Sequence, residues 1–283
     1  MKVGVFFTAG EGARDIADVA RAAEDLGFGS LWVGEHVVMP VDYERVYPGS
    51  ESGEAPSFAA LISSPLIALT RAAAVTERLE VGTGVCLLPL REPISLAKDI
   101  ATLDRDSGGR FLFGVGAGWM REETEILGGD FPRRWRQIQD DVAAMKALWR
   151  DDVAEHDGPY TRFPPVRLHP KPHQRAHPPV LLGGASPYIF DRVAAWGEGW
   201  IPGVSSVEEV REGREKLFAA AEKAGRDPAK LLVVPFGLPG CLRDASQVEA
   251  LRDLGVHHTT VWLQERGDAV LEELEQLAKD VLA

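Results

Sequence analysis

The chain has 283 residues, 45% hydrophobic and 26% charged, with 29 Gly, 19 Pro, two Cys and a formal net charge of -12. This composition excludes disorder, collagen and coiled coil, and the acidic balance argues against a nucleic-acid or anionic-membrane surface. No apolar run approaches the ~20 residues of a membrane span, no secretory cleavage pattern is visible, and Cys86 and Cys241 make no disulfide framework, so a reduced cytoplasmic setting is expected.

In chain order, residues 2–7 are β-rich, and residues 14–26 carry Ile16, Val19, Ala20, Ala23 and Leu26 at helical spacing. Gly27 then sits where a helix C-terminus favours glycine. A second strand at 30–33 is followed by a long Pro- and Gly-containing segment, 35–63, and a helix over 65–76. Further strands read at 79–88, 110–115, 180–182, 199–201, 231–236 and 259–263. Helices read between and after them at 94–106, 134–149, 187–195, 207–224, 246–254 and 268–282.

Eight strands and eight helices in alternation suit either a doubly wound sheet or a closed (β/α)8 barrel. The count of eight, with no composition break or linker, favours one α/β domain over residues 1–283: a TIM barrel with insertions after strands two and four. In such a barrel the chemistry sits at the C-terminal ends of the strands.

Strand two ends in Gly34-Glu35-His36, either a proton-transfer pair with Glu35 orienting His36 or a polar pair at the rim. Strand three holds Gly82 and Gly84, consistent with a bulge, a close approach by a ligand or a tight barrel corner; Cys86 beside them reads as a small buried hydrophobe. Strand four runs into Gly114-Val115-Gly116-Ala117-Gly118-Trp119, which either brings amides to an anion or flat ring or makes a flexible turn; it is not the GxGxxG fingerprint. Strand five ends in Gly183-Gly184-Ala185-Ser186-Pro187, with Ser186 as an expected N-cap and Pro187 as an expected first helical residue. That turn is either a phosphate cradle or a well-capped helix start. His169, His173 and His177 stand four apart, but the prolines around them rule out a helix, so no metal site is assigned. His257 and His258 point to opposite faces of a strand and receive no chemistry.

Taken in order, these pieces resemble the bacterial luciferase-like monooxygenase superfamily. The resemblance rests on Gly27-Phe28-Gly29-Ser30-Leu31-Trp32 leading to Glu35-His36, on Leu79 to Val85, and on Pro93 to Lys98 through Asp104. It continues with Ser107-Gly108-Gly109-Arg110, Gly114 to Trp119, Pro170-Lys171-Pro172, Pro178 to Gly184, and Gly199-Trp200.

The resemblance implies a barrel that holds the deazaflavin F420, or alternatively FMN, at its C-terminal mouth, and it is nearest to the F420-dependent branch. There an acid–His pair matches Glu35 and His36, although many relatives have Asp at the first position. A bulge with a non-proline cis peptide would fall at Gly84-Val85. Gly116, Ala117 and Gly118 would contact the ring or ribityl chain, and Gly183, Gly184 and Ala185 the phosphate. The segment 37–57 would roof the pocket with Tyr43, Arg45 and Tyr47. Sugar-phosphate dehydrogenases of the superfamily carry a Trp after the acid–His pair and a Glu after the strand-four glycines, whereas Met39-Pro40 and Trp119-Met120 stand here, so a sugar-phosphate substrate is not expected.

The implied reaction is hydride transfer with a small organic substrate, His36 moving the proton. The alternatives are an FMN-dependent monooxygenase and a non-catalytic flavin-binding relative. A homodimer is also implied, with helices 64–76 and 94–106 as candidate faces.

Overall fold

A computed structural model describes residues 1–44, 46–47 and 52–282; Arg45, one of the expected roof residues, lies outside them. Eight parallel barrel strands follow one another: β1 (Lys2–Phe6), β2 (Ser30–Val33), β3 (Glu80–Thr83), β4 (Phe111–Gly116), β5 (Val180–Gly183), β6 (Gly199–Ile201), β7 in two pieces (Leu232–Val233 and Phe236–Gly237) and β8 (His258–Trp262). Each pairs with its neighbour in sequence, and β8 pairs with β1 from Lys2↔His258 to Phe6↔Trp262. The ring closes at β7, whose first piece pairs with β6 and whose second pairs with β8 at Phe236↔Thr260. This is the expected α/β barrel.

The helices are α1 (Ile16–Leu26), α2 (Pro65–Ala74), α3 (Pro93–Asp106), α4 (Arg121–Ile126), α5 (Arg134–Arg150), α6 (Ile189–Trp196), α7 (Val207–Lys223), α8 (Ala245–Asp253) and α9 (Ala269–Val281). Their ends follow capping chemistry. The Asp15 carboxylate accepts the Ala17 N–H at 2.8 Å at the start of α1, and Gly27 ends that helix at φ 96°. Glu92 accepts the Ile94 and Ser95 N–H groups at the start of α3, with Pro93 in the first turn. Arg110 donates to the carbonyls of Ala73, Thr76 and Leu79, closing the end of α2 against β3. Lys171 donates to the Leu148 and Asp151 carbonyls at the end of α5. These two cations explain the Arg and Lys of the sequence motifs without any ligand.

The barrel interior packs Trp32, Leu112, Leu181, Ile201 and Val234 together, while a larger apolar layer lies between strands and helices. Trp32 is fully buried, with its Nε1 donating to Ser30 Oγ at 2.8 Å. A Cβ on Gly82 would stand 2.3 Å from the Trp32 ring, and one on Gly84 would stand 2.4 Å from Phe236. Both glycines of strand three therefore make room for interior aromatics.

Three local expectations are corrected. The third strand is not continuous over 79–88: it stops at Thr83, passes through a cis Gly84-Val85 peptide and resumes as Cys86–Leu87, which pairs with β4. The insertion after β4 contains α4 as well as loop. A third insertion, between α5 and β5, forms a β-hairpin of Ala154–Asp157 and Arg162–Val166. Its Pro164 and Pro165 concealed it in the sequence; prolines are tolerated there because a two-stranded ribbon has free edges. The Asp140 carboxylate on α5 holds the hairpin through the Tyr160 and Thr161 N–H groups and His156 Nε2.

Candidate active site

The C-terminal ends of the strands enclose two adjoining cavities that share Phe6, Gly84, Val85, Leu87, Trp119 and Trp262. The larger, about 440 Å³, is lined by all eight residues expected to touch a cofactor: Gly84, Val85, Gly116, Ala117, Gly118, Gly183, Gly184 and Ala185. The smaller, about 190 Å³, is lined by Glu35 and His36. Residues from Glu35 to Ala185, 150 positions apart in sequence, thus converge because each sits at a strand end of one barrel.

Gly116 and Gly183 act differently from simple points of backbone approach. A Cβ on Gly116 would lie 2.3 Å from Val85 Cγ2, and one on Gly183 would lie 2.7 Å from Val85 Cγ1. The Val85 side chain therefore occupies the space both glycines vacate, and the bulge is locked across β4 and β5. Ala185 and Ser186 N–H groups donate to no atom among the described residues. The expected N-cap is also displaced: Ser186 Oγ accepts the Tyr188 N–H at 3.3 Å, and α6 begins only at Ile189. The free amides belong to the turn, not to the first turn of the helix.

Two arginines stand at this end. Arg134 lines the larger cavity, donates to the Gly118 and Phe131 carbonyls and stacks 3.8 Å over the Phe131 ring. Arg192 stacks 4.5 Å over Trp135, another lining residue, and its buried Nη1 has no partner. Burial lowers the pKa of both guanidiniums, and at Arg134 the charges of Arg121 and Arg192 add to it.

The acid–His pair is rearranged. The Glu35 side chain is fully buried, but it does not hold His36. Its Oε2 accepts the Leu87 N–H at 2.6 Å, and its Oε1 is forked by Arg91 Nε, at 2.8 Å, and Nη2. Glu35 thus ties the end of β2 to the chain beyond the bulge. The partner of His36 is Glu123 on α4, whose Oε2 lies 2.8 Å from His36 Nδ1. Glu123 is 1% exposed, and its Oε1 also accepts the Val37 N–H at 2.7 Å and the Val38 N–H at 3.3 Å. Among the described residues His36 makes no other hydrogen bond, which leaves Nε2 for the smaller cavity.

Sequence reasoning missed Glu123. It sits in Arg121-Glu122-Glu123-Thr124-Glu125, where three glutamates look alike and only folding buries one of them. Trp119 was read as the end of the strand-four motif and as a departure from the sugar-phosphate enzymes, not as a wall of the site; it packs 5.7 Å from His36, 6.1 Å from Tyr43 and 5.4 Å from Tyr47. Tyr47 lines the smaller cavity, and burial raises its phenol pKa. Tyr43 instead accepts the Ala55 N–H and braces the roof.

Comparison with known proteins gives the class to which a barrel with this mouth belongs. Residues 1–280 match the family model described as luciferase-like monooxygenase, so the chain belongs to that family and is an oxidoreductase/monooxygenase enzyme. It is 36% identical over 225 residues to the uncharacterized protein Rv0953c of Mycobacterium tuberculosis, covering 78% of this chain and 79% of that one. It is 26% identical over 302 residues to the F420-dependent glucose-6-phosphate dehydrogenase of Amycolatopsis mediterranei (99% and 81% covered). It is 30% identical over 155 residues to the FMNH2-dependent dimethylsulfone monooxygenase of Pseudomonas putida (54% and 42% covered). Among solved structures, the monooxygenase RslO1 from Streptomyces bottropensis superposes with a TM-score of 0.79 at 20% identity, over 100% of this chain and 99% of that one. The F420-dependent tetrahydromethanopterin reductase from Methanopyrus kandleri superposes with a TM-score of 0.76 at 17% identity, over 100% and 99%. Among the described residues no helix is long and apolar enough to cross a membrane.

Proposed function

We propose that the protein is an F420-dependent oxidoreductase that exchanges a hydride with a small organic substrate, with His36 transferring the proton. The observation that carries this reading is the convergence of the eight cofactor-contact residues on one cavity, directly beside the free edge of His36. The residues present fit such a cofactor. The unpartnered amides of Ala185 and Ser186 and the Arg134 guanidinium would hold a phosphate, while Val85, Phe236 and Trp262 offer apolar contact to a ring. When bound, the deazaflavin supplies hydride chemistry; the chain supplies position, a walled cavity and a proton at Nε2 of His36. Glu123 holds the imidazole through Nδ1, so Nε2 is the atom that meets substrate.

A second reading, FMN-dependent monooxygenation, is favoured by the 30% identity to the dimethylsulfone enzyme. Equilibrium binding of the purified protein to F420 and FMN side by side tests the order. Micromolar or tighter F420 binding supports the first reading, and tight FMN binding with no detectable F420 binding reverses it.

We also propose a homodimer through α2 and α3. Leu69 is buried in the subunit, but Ile67 on the same helix is 68% exposed beside Thr70, Lys98 and Thr102. A light-scattering mass of one chain overturns this.

A further inference from the structure

The two cavities of the mouth differ in electrical character. The larger has Arg134 and free amides at one end. The smaller is walled by Phe6, Pro56, Phe58, Ile62, Trp119 and Trp262, and its polar lining is limited to Thr8, Glu35, His36 and Tyr47 among the described residues. The Glu35 carboxylate is already forked by Arg91 and bonded to the Leu87 N–H, so it offers a ligand nothing. The polar atoms left over are His36 Nε2 and the hydroxyls of Thr8 and Tyr47. No Lys or Arg among the described residues lines this chamber. An anionic ligand would be desolvated there with no Lys or Arg among the described lining residues to pair with it. Burying an unpaired charge costs several kcal/mol, so such ligands are excluded.

From this geometry we propose that the substrate is an uncharged, largely apolar carbonyl compound of about the size of a single ring, seated in the smaller chamber with its oxygen on His36. The inference rests on the oxidoreductase reading above and names the substrate class of that site. A chamber of about 190 Å³ is somewhat larger than the roughly 150 Å³ apolar cavity that accommodates benzene. In the reducing direction a bound reduced deazaflavin would supply the hydride to the carbonyl carbon as the C=O π bond opens, and His36 Nε2 would supply the proton to the oxygen. The product is the corresponding alcohol, and the deazaflavin is left oxidised. The reverse direction moves the same atoms.

Binding of cyclohexanone and of cyclohexanecarboxylate, its anionic analogue, is to be measured by ligand-detected NMR titration. Both titrations are run on the full chain with and without saturating F420, which is titrated separately by its own fluorescence. Cyclohexanone is expected to bind at least tenfold more tightly than the carboxylate. Ile62→Trp and Ala59→Trp, each filling the chamber from its roof, are expected to weaken cyclohexanone binding at least tenfold while F420 affinity stays within twofold. Equal or tighter carboxylate binding, or cyclohexanone affinity unchanged in whichever of the two variants folds, overturns the proposal. Failure of F420 to bind overturns the cofactor reading instead, and the cyclohexanone titrations on the unloaded protein still decide the substrate class.

Discussion

Glu123, on a six-residue helix 87 positions downstream, is the hydrogen-bond partner of His36, while the adjacent Glu35 faces away into an ion pair. A buried carboxylate accepts the Nδ1–H, which fixes the imidazole's orientation and tautomer and turns Nε2 toward the cavity. His36→Ala is therefore expected to lower kcat about 100-fold or more, the usual contribution of general acid–base catalysis. Glu123→Gln, which keeps one acceptor, is expected to lower kcat about tenfold, with KM and F420 affinity little changed. Glu123 is a positioning residue, so its signature is a displaced pH profile of kcat. A Glu123→Gln profile superimposable on the parent would remove it from the mechanism.

Glu35→Gln should behave as a stability variant. It leaves Arg91 facing a neutral amide and loosens the clamp from β2 to the Leu87 N–H. Breaking a buried pair costs about 3 kcal/mol at the lower end of the usual range, appropriate here because Arg91 is a quarter exposed. Urea unfolding measures this loss, and Arg91→Met combined with Glu35→Gln should recover part of it. Activity per folded molecule should fall far less than in His36→Ala.

Asp141 sits buried on α5, one oxygen accepting from Thr161 Oγ1 at 2.5 Å and the other without a partner. Burial chiefly, and the charge of Asp140, push its carboxyl up to about 6. The folded state therefore holds a proton there that the unfolded state has already lost, between about pH 4 and 6. Stability from this group falls as pH rises through that window, and the penalty is fully present above it. Asp141→Asn is expected to stabilise the protein at pH 8, by up to about 2 kcal/mol, and to change little at pH 4. Thermal melts of the two proteins at both pH values check the sign.

His258 lies at the opposite, N-terminal end of the barrel, with its Nδ1 buried and unpartnered, 3.7 Å from Glu80. Burial holds its pKa below the ordinary histidine value of 6.5, against a weaker opposing pull from Glu80. The unfolded chain binds the proton first, so stability is present above pH 6.5 and is lost as pH falls below it. His258→Gln should flatten the decline of the melting temperature between pH 7.5 and 5.5. An unchanged slope would show that other groups set it.

The eight strands and their helices were legible in the sequence because their apolar periodicity and caps are local. Residues such as Asp15, Gly27 and Pro93 act on the chain within a turn of themselves. The mouth glycines were legible as a set, since the barrel brings strand ends together wherever they fall in the sequence. The cause of those glycines was not: Val85 covers Gly116 and Gly183, and Trp32 needs the space at Gly82. Arg110 and Lys171 likewise looked like motif residues until the carbonyls they cap were in place.

The sequence by itself determined the barrel, its strand ends and the identity of His36, because these follow from patterns within each βα unit. Only the tertiary structure decided what His36 and Glu35 each hold. Glu123, Arg91 and the Leu87 N–H come from three other segments, and their distances exist only once the strands have closed. Neighbouring residues on an extended chain project in opposite directions, so adjacency in sequence sent the glutamate and the histidine to different partners.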